Sequence, residues 1–343
     1  MKVLITGASG FVGRATCTRL RAQGMEVVGA VRQLPAQALP GVDYCIVGDL
    51  SADTDWRASL AGVEGIIHCA ARVHVMRETA EDPLAAFRST NVAGTERLAR
   101  QAVAAGVKRL VFISSIKVNG EETAPVLPLP LPNPLPRGER ELAISLPRGT
   151  RGSFREDDTP APQDPYGQTK WEAEAMLAQV AQETGLEVVI VRPPLVYGPG
   201  VKGNLARLLG WIGRGIPLPL AGIRNARSLI GIDNFTSALQ ACLTHPAAAG
   251  RTYLVRDGED VSTPELVRRL GRHLGKPARL FALPAPLLEG LAGLVGRRAD
   301  VRRLTGSLTV DDSRIRHELG WMPPCTLDEG LAQMARTWLD KTR

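Results

Sequence analysis

Aromatic side chains are scarce, at 4% of 343 residues, and with that little stacking surface and no basic helix a nucleic-acid partner is not expected. Cysteine is sparse and odd in number: the five, at positions 17, 45, 69, 242 and 325, contain neither a CxxC pair nor a Cys/His spacing of the zinc kind. A disulfide framework and a structural zinc site are therefore excluded, and a reducing cytoplasm is the expected compartment. Long hydrophobic runs are also missing. Met1 and Lys2 lead into Val3, Leu4 and Ile5, an apolar stretch too short before the first glycines for an export signal. The longest apolar stretch, Phe281 to Gly296, is broken by Pro284, Pro286 and Glu289 and falls short of the roughly 20 residues a membrane span requires. Nor is there an internal repeat at a solenoid period.

What is present is the composition of a globular protein, with 44% hydrophobic and 22% charged residues. The net charge of +7 is spread over single arginines, a pattern suited to attracting small anionic ligands.

Short aliphatic runs recur at Val3 to Ile5, Val27 to Val31, Tyr44 to Val47, Ile66 to Cys69, Leu110 to Ile113 and Val188 to Val191. Their near-continuous apolar character, with helical patterns between them, predicts buried parallel strands covered on both faces. Val12, Ala15 and Leu20 mark the expected inner face of the first helix. The fold class is α/β, a Rossmann-type doubly wound parallel sheet, over residues 1–194. A smaller, mostly helical lobe follows over 195–343, with helical stretches near 203–214, 233–245, 264–274 and 326–340 and with 228–256 returning to the first domain. Between Pro125 and Pro147 lie seven prolines, which neither a helix nor a central strand accommodates, so 124–152 is read as an exposed loop insertion.

In such a sheet ligands sit at the carboxyl ends of the strands. Directly after the first strand stands Gly7-Ala8-Ser9-Gly10-Phe11-Val12-Gly13, a GxxGxxG spacing that opens a helix. The first glycine permits the turn, the second admits a pyrophosphate to the helix N-terminus, and the third allows close packing of helix on strand. The second strand ends in Ala30-Val31-Arg32, where an NAD-selective site carries an acid. Arg32 suits a 2′-phosphate, which favours NADP(H) with NAD(H) as the alternative; a solvated surface arginine is the competing reading. Asp49 is placed to accept from an adenine amino group or to cap a helix over the next residues.

Tyr166 and Lys170 form a YxxxK spacing behind Asp164-Pro165, a helix-start signal. Residues i and i+4 share a helix face, and an ammonium beside a phenol favours phenolate, so Tyr166 is expected to exchange a proton with an alcohol or ketone. Ser114 and Ser115 bring hydroxyls to the end of the fifth strand, with Ser115 placed to hold the reacting oxygen and turn capping as the alternative for each.

Taken together, TGASGFVG at 6–13, Asp49-Leu50, His68-Cys69-Ala70-Ala71, Asn91 within STNVAGT, SSIKVNGE at 114–121 and YGQTK at 166–170 resemble the extended short-chain dehydrogenase/reductases, in the NAD-dependent epimerase/dehydratase branch acting on nucleotide sugars. The resemblance spans almost the whole chain apart from the proline-rich insertion. It implies a catalytic set of Ser115, Tyr166 and Lys170, and a cofactor site of Gly7, Ser9, Gly10, Phe11, Val12, Gly13, Arg32, Asp49, Leu50, Ala70, Ala71, Asn91 and Pro193 together with Tyr166 and Lys170. It further implies Asn204, Arg227 and Arg303 as substrate contacts, with Arg302 a further phosphate contact, and a homodimer. Dehydratases of this branch carry Asp and Glu after the catalytic hydroxyl residue, whereas Ile116 and Lys117 stand here. With Arg32 replacing an acid, the resemblance favours a UDP-4-keto-6-deoxy-N-acetylhexosamine reductase of surface polysaccharide synthesis. A UDP-hexose 4-epimerase is the alternative, and a non-catalytic dinucleotide-binding protein a more distant one.

Overall fold

The computed structural model describes residues 1–73, 82–123, 152–284, 287, 290 and 298–342. Seven parallel strands form one sheet: β1 (Lys2–Thr6), β2 (Glu26–Val31), β3 (Val42–Ile46), β4 (Gly65–His68), β5 (Arg109–Ile113), β6 (Glu187–Arg192) and β9 (Thr252–Leu254). Their spatial order is β3-β2-β1-β4-β5-β6-β9, so the chain reverses direction across the sheet between β1 and β4. That reversal opens the crevice in which a doubly wound sheet holds its ligand.

Alternation along each strand builds two cores. Val3 and Ile5 of β1, Val111 of β5 and Val189 and Val191 of β6 join one apolar cluster with Cys17 and Leu20 of helix Phe11–Ala22 and with Phe235 and Leu239 of helix Ile232–Thr244. Leu4, Leu110, Phe112 and Val188 point the other way, onto Leu98 and Ala102 of helix Gly94–Ala104 and Leu177 and Val180 of helix Pro165–Thr184. Burying each such side chain contributes about 1.5–3 kcal/mol before the cost of ordering it. The first helix corrects one expectation. Its buried residues are Gly13, Thr16, Cys17 and Leu20, while Ala15 faces an open groove, because Gly13 and Thr16 lie nearer the sheet.

A second, three-stranded sheet was not foreseen. In it β8 (Arg227–Gly231) pairs in parallel with β7 (Leu195–Tyr197) and antiparallel with β10 (Asp260–Val261). Helices Asn204–Gly213, Thr263–His273 and Leu327–Thr342 close a third apolar cluster over it. Two shorter helices, Arg298–Thr305 and Ser313–Leu319, also lay outside the sequence reading.

The proline-rich insertion falls outside the described residues from 124 to 151, and most of the apolar stretch after Pro284 does as well. The flanks of the insertion meet at one residue. The Thr123 hydroxyl lies 3.5 Å from that of Thr309, and the Thr309 hydroxyl donates to the Gly152 carbonyl at 3.4 Å. Among the described residues no helix is long and apolar enough to cross a membrane.

Candidate active site

The glycine loop sits at the reversal point. Gly7 has φ +62°, and a Cβ on it would stand 3.0 Å from the Ala70 Cα at the end of β4. A Cβ on Gly13 would stand 2.2 Å from the Gly7 carbonyl oxygen, so glycine is required there for the helix to begin against the strand. Gly10 caps helix Phe11–Ala22 without a side chain, which leaves its first-turn amides and positive dipole end facing the crevice. This cradle, which any side chain would fill, fits a dinucleotide pyrophosphate.

At the far end of the crevice Arg32 follows β2, and its Nη1 lies 3.5 Å from the Asp49 carboxylate. Both side chains are largely exposed, and the residues after Asp49 form turns, so Asp49 caps no helix. Leu50 packs against the second core cluster and against Gly94.

Beneath Ala70 runs a chain of hydrogen bonds that joins four elements. The Ala70 amide donates to the Thr6 hydroxyl at 3.1 Å, and that hydroxyl donates to His68 Nδ1 at 2.6 Å. His68 Nε2 donates to the Thr95 hydroxyl at 3.0 Å, which donates to the Asn91 carbonyl at 2.7 Å. Burial, and then the nearby Lys170, pull the His68 pKa down to about 3, so the ring is neutral and the tautomer follows from its partners. Asn91 lies in a π-helical turn, Ser89–Ala93, a widened turn of the kind found at functional sites. Its Oδ1 accepts from the Arg72 amide at 2.8 Å, and its Nδ2 donates to the Thr169 hydroxyl at 3.1 Å, bracing the helix that carries Tyr166.

That helix starts as its sequence predicts. Asp164 accepts from the Gly167 amide at 2.7 Å, Pro165 takes the first position, and Gly185 ends it at φ +78°. Tyr166 packs edge-on against Phe87, with ring centroids 6.5 Å apart. Lys170 is buried, donates to the Ile113 carbonyl at 2.7 Å, and holds its ammonium 4.4 Å from the Phe112 ring and 5.9 Å from the Tyr166 ring. Ser115, at the end of β5, accepts from the Lys117 amide at 3.3 Å and so caps the short 3-10 turn Ile116–Val118 while pointing to the same sheet edge. The Ile116 amide donates to the Pro193 carbonyl at 3.0 Å, which sets Pro193 beside that turn.

The electrostatics of this pair correct the expectation. Burial pushes the Tyr166 phenol above its ordinary value, and Asp164 adds to the rise. Lys170 moves instead: burial pulls its pKa down to about 7, with Glu174 opposing. Desolvation of two neighbouring groups outweighs their mutual attraction at this separation.

Glu174 completes a face of the helix at i, i+4 and i+8 that sequence reasoning left incomplete. It accepts from the Ser114 hydroxyl and forms a two-point pair with Arg192, Nε to Oε1 at 2.9 Å and Nη2 to Oε2 at 2.5 Å. Arg192 Nη1 also donates to Asn119 Oδ1 at 3.0 Å, so the ends of β5 and β6 are tied to the helix. The spacing of Glu174 from Lys170 was a usable signal, but its partner 18 residues on was not.

Of the expected substrate residues, Arg227 meets the end of the helix that carries Arg302 and Arg303, through Gly306, and Asn204 lies on a different helix. Asn204 is exposed at the first position of its helix and accepts from Arg207. Arg227, in β8, donates to the Gly306 carbonyl at 2.9 Å, and burial lowers its pKa. Arg302 and Arg303 lie on helix Arg298–Thr305, and the Arg303 side chain is outside the described residues.

Comparison with known proteins finds relatives over nearly the whole chain. A UDP-glucose 4-epimerase of Vibrio cholerae is 40% identical over 338 residues, covering 98% of this chain and 95% of that protein. An N-acetyl-alpha-D-glucosaminyl-diphospho-ditrans,octacis-undecaprenol 4-epimerase of Escherichia coli O157:H7 is 25% identical over 348 residues, covering 96% and 92%. Among solved structures, MoeE5 in complex with UDP-glucuronic acid and NAD superimposes with a TM-score of 0.75 at 25% identity, covering 100% of both chains. The family model for NAD dependent epimerases/dehydratases matches residues 3–255, from the first strand through the last strand of the large sheet, and the chain belongs to that family.

Proposed function

We propose that this protein is a UDP-hexose 4-epimerase that works with bound NAD. The observation that carries the reading is the 40% identity, over nearly the full length of both chains, to a UDP-glucose 4-epimerase, in a chain that keeps Ser115, Tyr166 and Lys170 at one sheet edge. Nicotinamide, when bound, supplies reversible hydride acceptance. In this reading Tyr166 takes the proton of the sugar C4 hydroxyl and returns it to the same oxygen when the ketone is reduced from its other face. Ser115 holds the same oxygen. Lys170, locked to the strand end by Ile113, would hold the nucleotide's ribose hydroxyls when NAD is bound. Asn204 and Arg227 are the proposed contacts to the sugar nucleotide, and the enzyme works as a homodimer.

The test is proton NMR of UDP-galactose incubated with purified protein and no added nucleotide. Appearance of UDP-glucose supports the epimerase; no conversion of either sugar overturns it. A second reading, an NADPH-dependent reductase of a 4-keto sugar, is favoured by Arg32, exposed where an acid serves the ribose hydroxyls in NAD-selective sites. Under it, Arg32→Ala weakens NADPH more than NADH in a binding titration, whereas equal weakening rejects it.

A further inference from the structure

The turn after Ser115 sets a cation against the start of the Tyr166 helix. Lys117 Nζ donates to the carboxylate of Asp164 and, at 2.8 Å, to Glu121 Oε1. The other Asp164 oxygen accepts the Gly167 amide, so one carboxylate both caps the helix and receives the ammonium. The approach is close, for a Cβ on Gly167 would stand 2.9 Å from the Lys117 carbonyl oxygen. The turn and the first turn of the helix therefore move as one unit, with Ser115 on one side and Tyr166 on the other.

An aspartate cap contributes about 1 kcal/mol to a helix, but here its charge lies two residues from a half-buried phenol that has to ionise or share its proton. Asp164 is, after burial, the second cause of the raised Tyr166 value. A cation on the second carboxylate oxygen keeps the cap while cancelling most of its field. We propose that Lys117 is a positioning residue for Tyr166, holding the Ser115 turn against the helix and neutralising the Asp164 carboxylate two residues before the phenol. Lys117, directly after the Ser115–Ile116 step, thus supplies a cation that prepares the tyrosine.

The other charged groups around Tyr166 do not substitute for it. Lys170 shares the helix face but donates to the Ile113 carbonyl. Glu121 shares the Lys117 ammonium. Arg72 lies 5.4 Å over the Phe87 ring, the aromatic that packs edge-on against Tyr166.

The inference rests on the proposed proton role of Tyr166, and its test is independent of the sugar. Wild type, Lys117→Met, Asp164→Asn and the double variant, each saturated with NAD, are titrated by tyrosinate absorbance, and the matching Tyr166→Phe protein is subtracted from each. Lys117→Met is expected to move the Tyr166 transition up by about one pH unit. Asp164→Asn moves it down, and adding Lys117→Met to that background has no further effect, whereas Lys117→Arg leaves the wild-type transition in place. An unmoved transition in Lys117→Met overturns the proposal. So does an equal upward shift on both backgrounds. If Lys117→Met does not fold, Asp164→Asn alone decides, and an unchanged transition there overturns it.

Discussion

The Lys170 ammonium and the Ile113 carbonyl meet at 2.7 Å, which bolts the Tyr166 helix to the end of β5 beside Ser115. One end of that contact is a buried cation and the other a strand-end backbone oxygen. The lysine is therefore aimed by the sheet rather than by the phenol, and its orientation persists when Tyr166 is replaced.

Tyr166→Phe follows from this arrangement. The ring keeps its packing on Phe87, and Lys170 keeps Ile113. NAD affinity should stay within a factor of about two of wild type, while turnover of the sugar nucleotide falls by roughly 10²–10⁴, the usual contribution of a positioned proton donor and acceptor. Turnover within tenfold of wild type contradicts the role.

His68 predicts an acid dependence of stability. Its folded pKa of about 3 lies below the ordinary value near 6.5, so between those values the unfolded chain binds the extra proton. Stability attributable to His68 is complete above pH 6.5 and is lost as pH falls toward 3, by up to about 1.4 kcal/mol per pH unit. Calorimetric melts of wild type and His68→Gln between pH 7 and 4.5 should show a shallower decline in the variant. Parallel declines would mean that His68 is not neutral in the fold.

Glu174 and Arg192 are both buried, and each satisfies the other. Arg192→Met leaves a carboxylate without its cation and should cost about 3–5 kcal/mol in urea unfolding. Glu174→Met combined with Arg192→Met should recover most of that loss, because two apolar side chains replace the pair. A single-variant cost below about 1 kcal/mol would show that the pair is open to water.

Much of this architecture is legible in the sequence because the signals are local. Apolar runs gave the central strands, and Asp164, Pro165 and Gly185 mark the ends of the Tyr166 helix. The second sheet escaped because Leu195–Tyr197 and Asp260–Val261 are two or three residues long and become strands only through their partners. Likewise the direction of the Tyr166 shift depends on burial, to which Phe87, remote in sequence, contributes. Long-range pairing and desolvation are properties of the assembled chain, and no spacing rule carries them.

The insertion offers a test of loop closure. Thr123 and Gly152 both reach Thr309, so the two flanks already lie within bridging distance. Replacing residues 125–151 with a short glycine-serine linker should leave a cooperative melt within a few degrees of wild type, since closure entropy grows slowly with loop length. Loss of cooperative unfolding would mean that the segment is part of the core.

The account centres on a hydride that leaves C4 of the sugar and returns to it within one binding event. The most direct measurement is mass spectrometry of both sugar nucleotides after incubation with UDP-glucose deuterated at C4. The account predicts that the epimer formed carries the deuterium at C4, with no net reduced nucleotide released. Epimer that has exchanged its label for solvent hydrogen, or stoichiometric consumption of NADPH with no epimer, would contradict it.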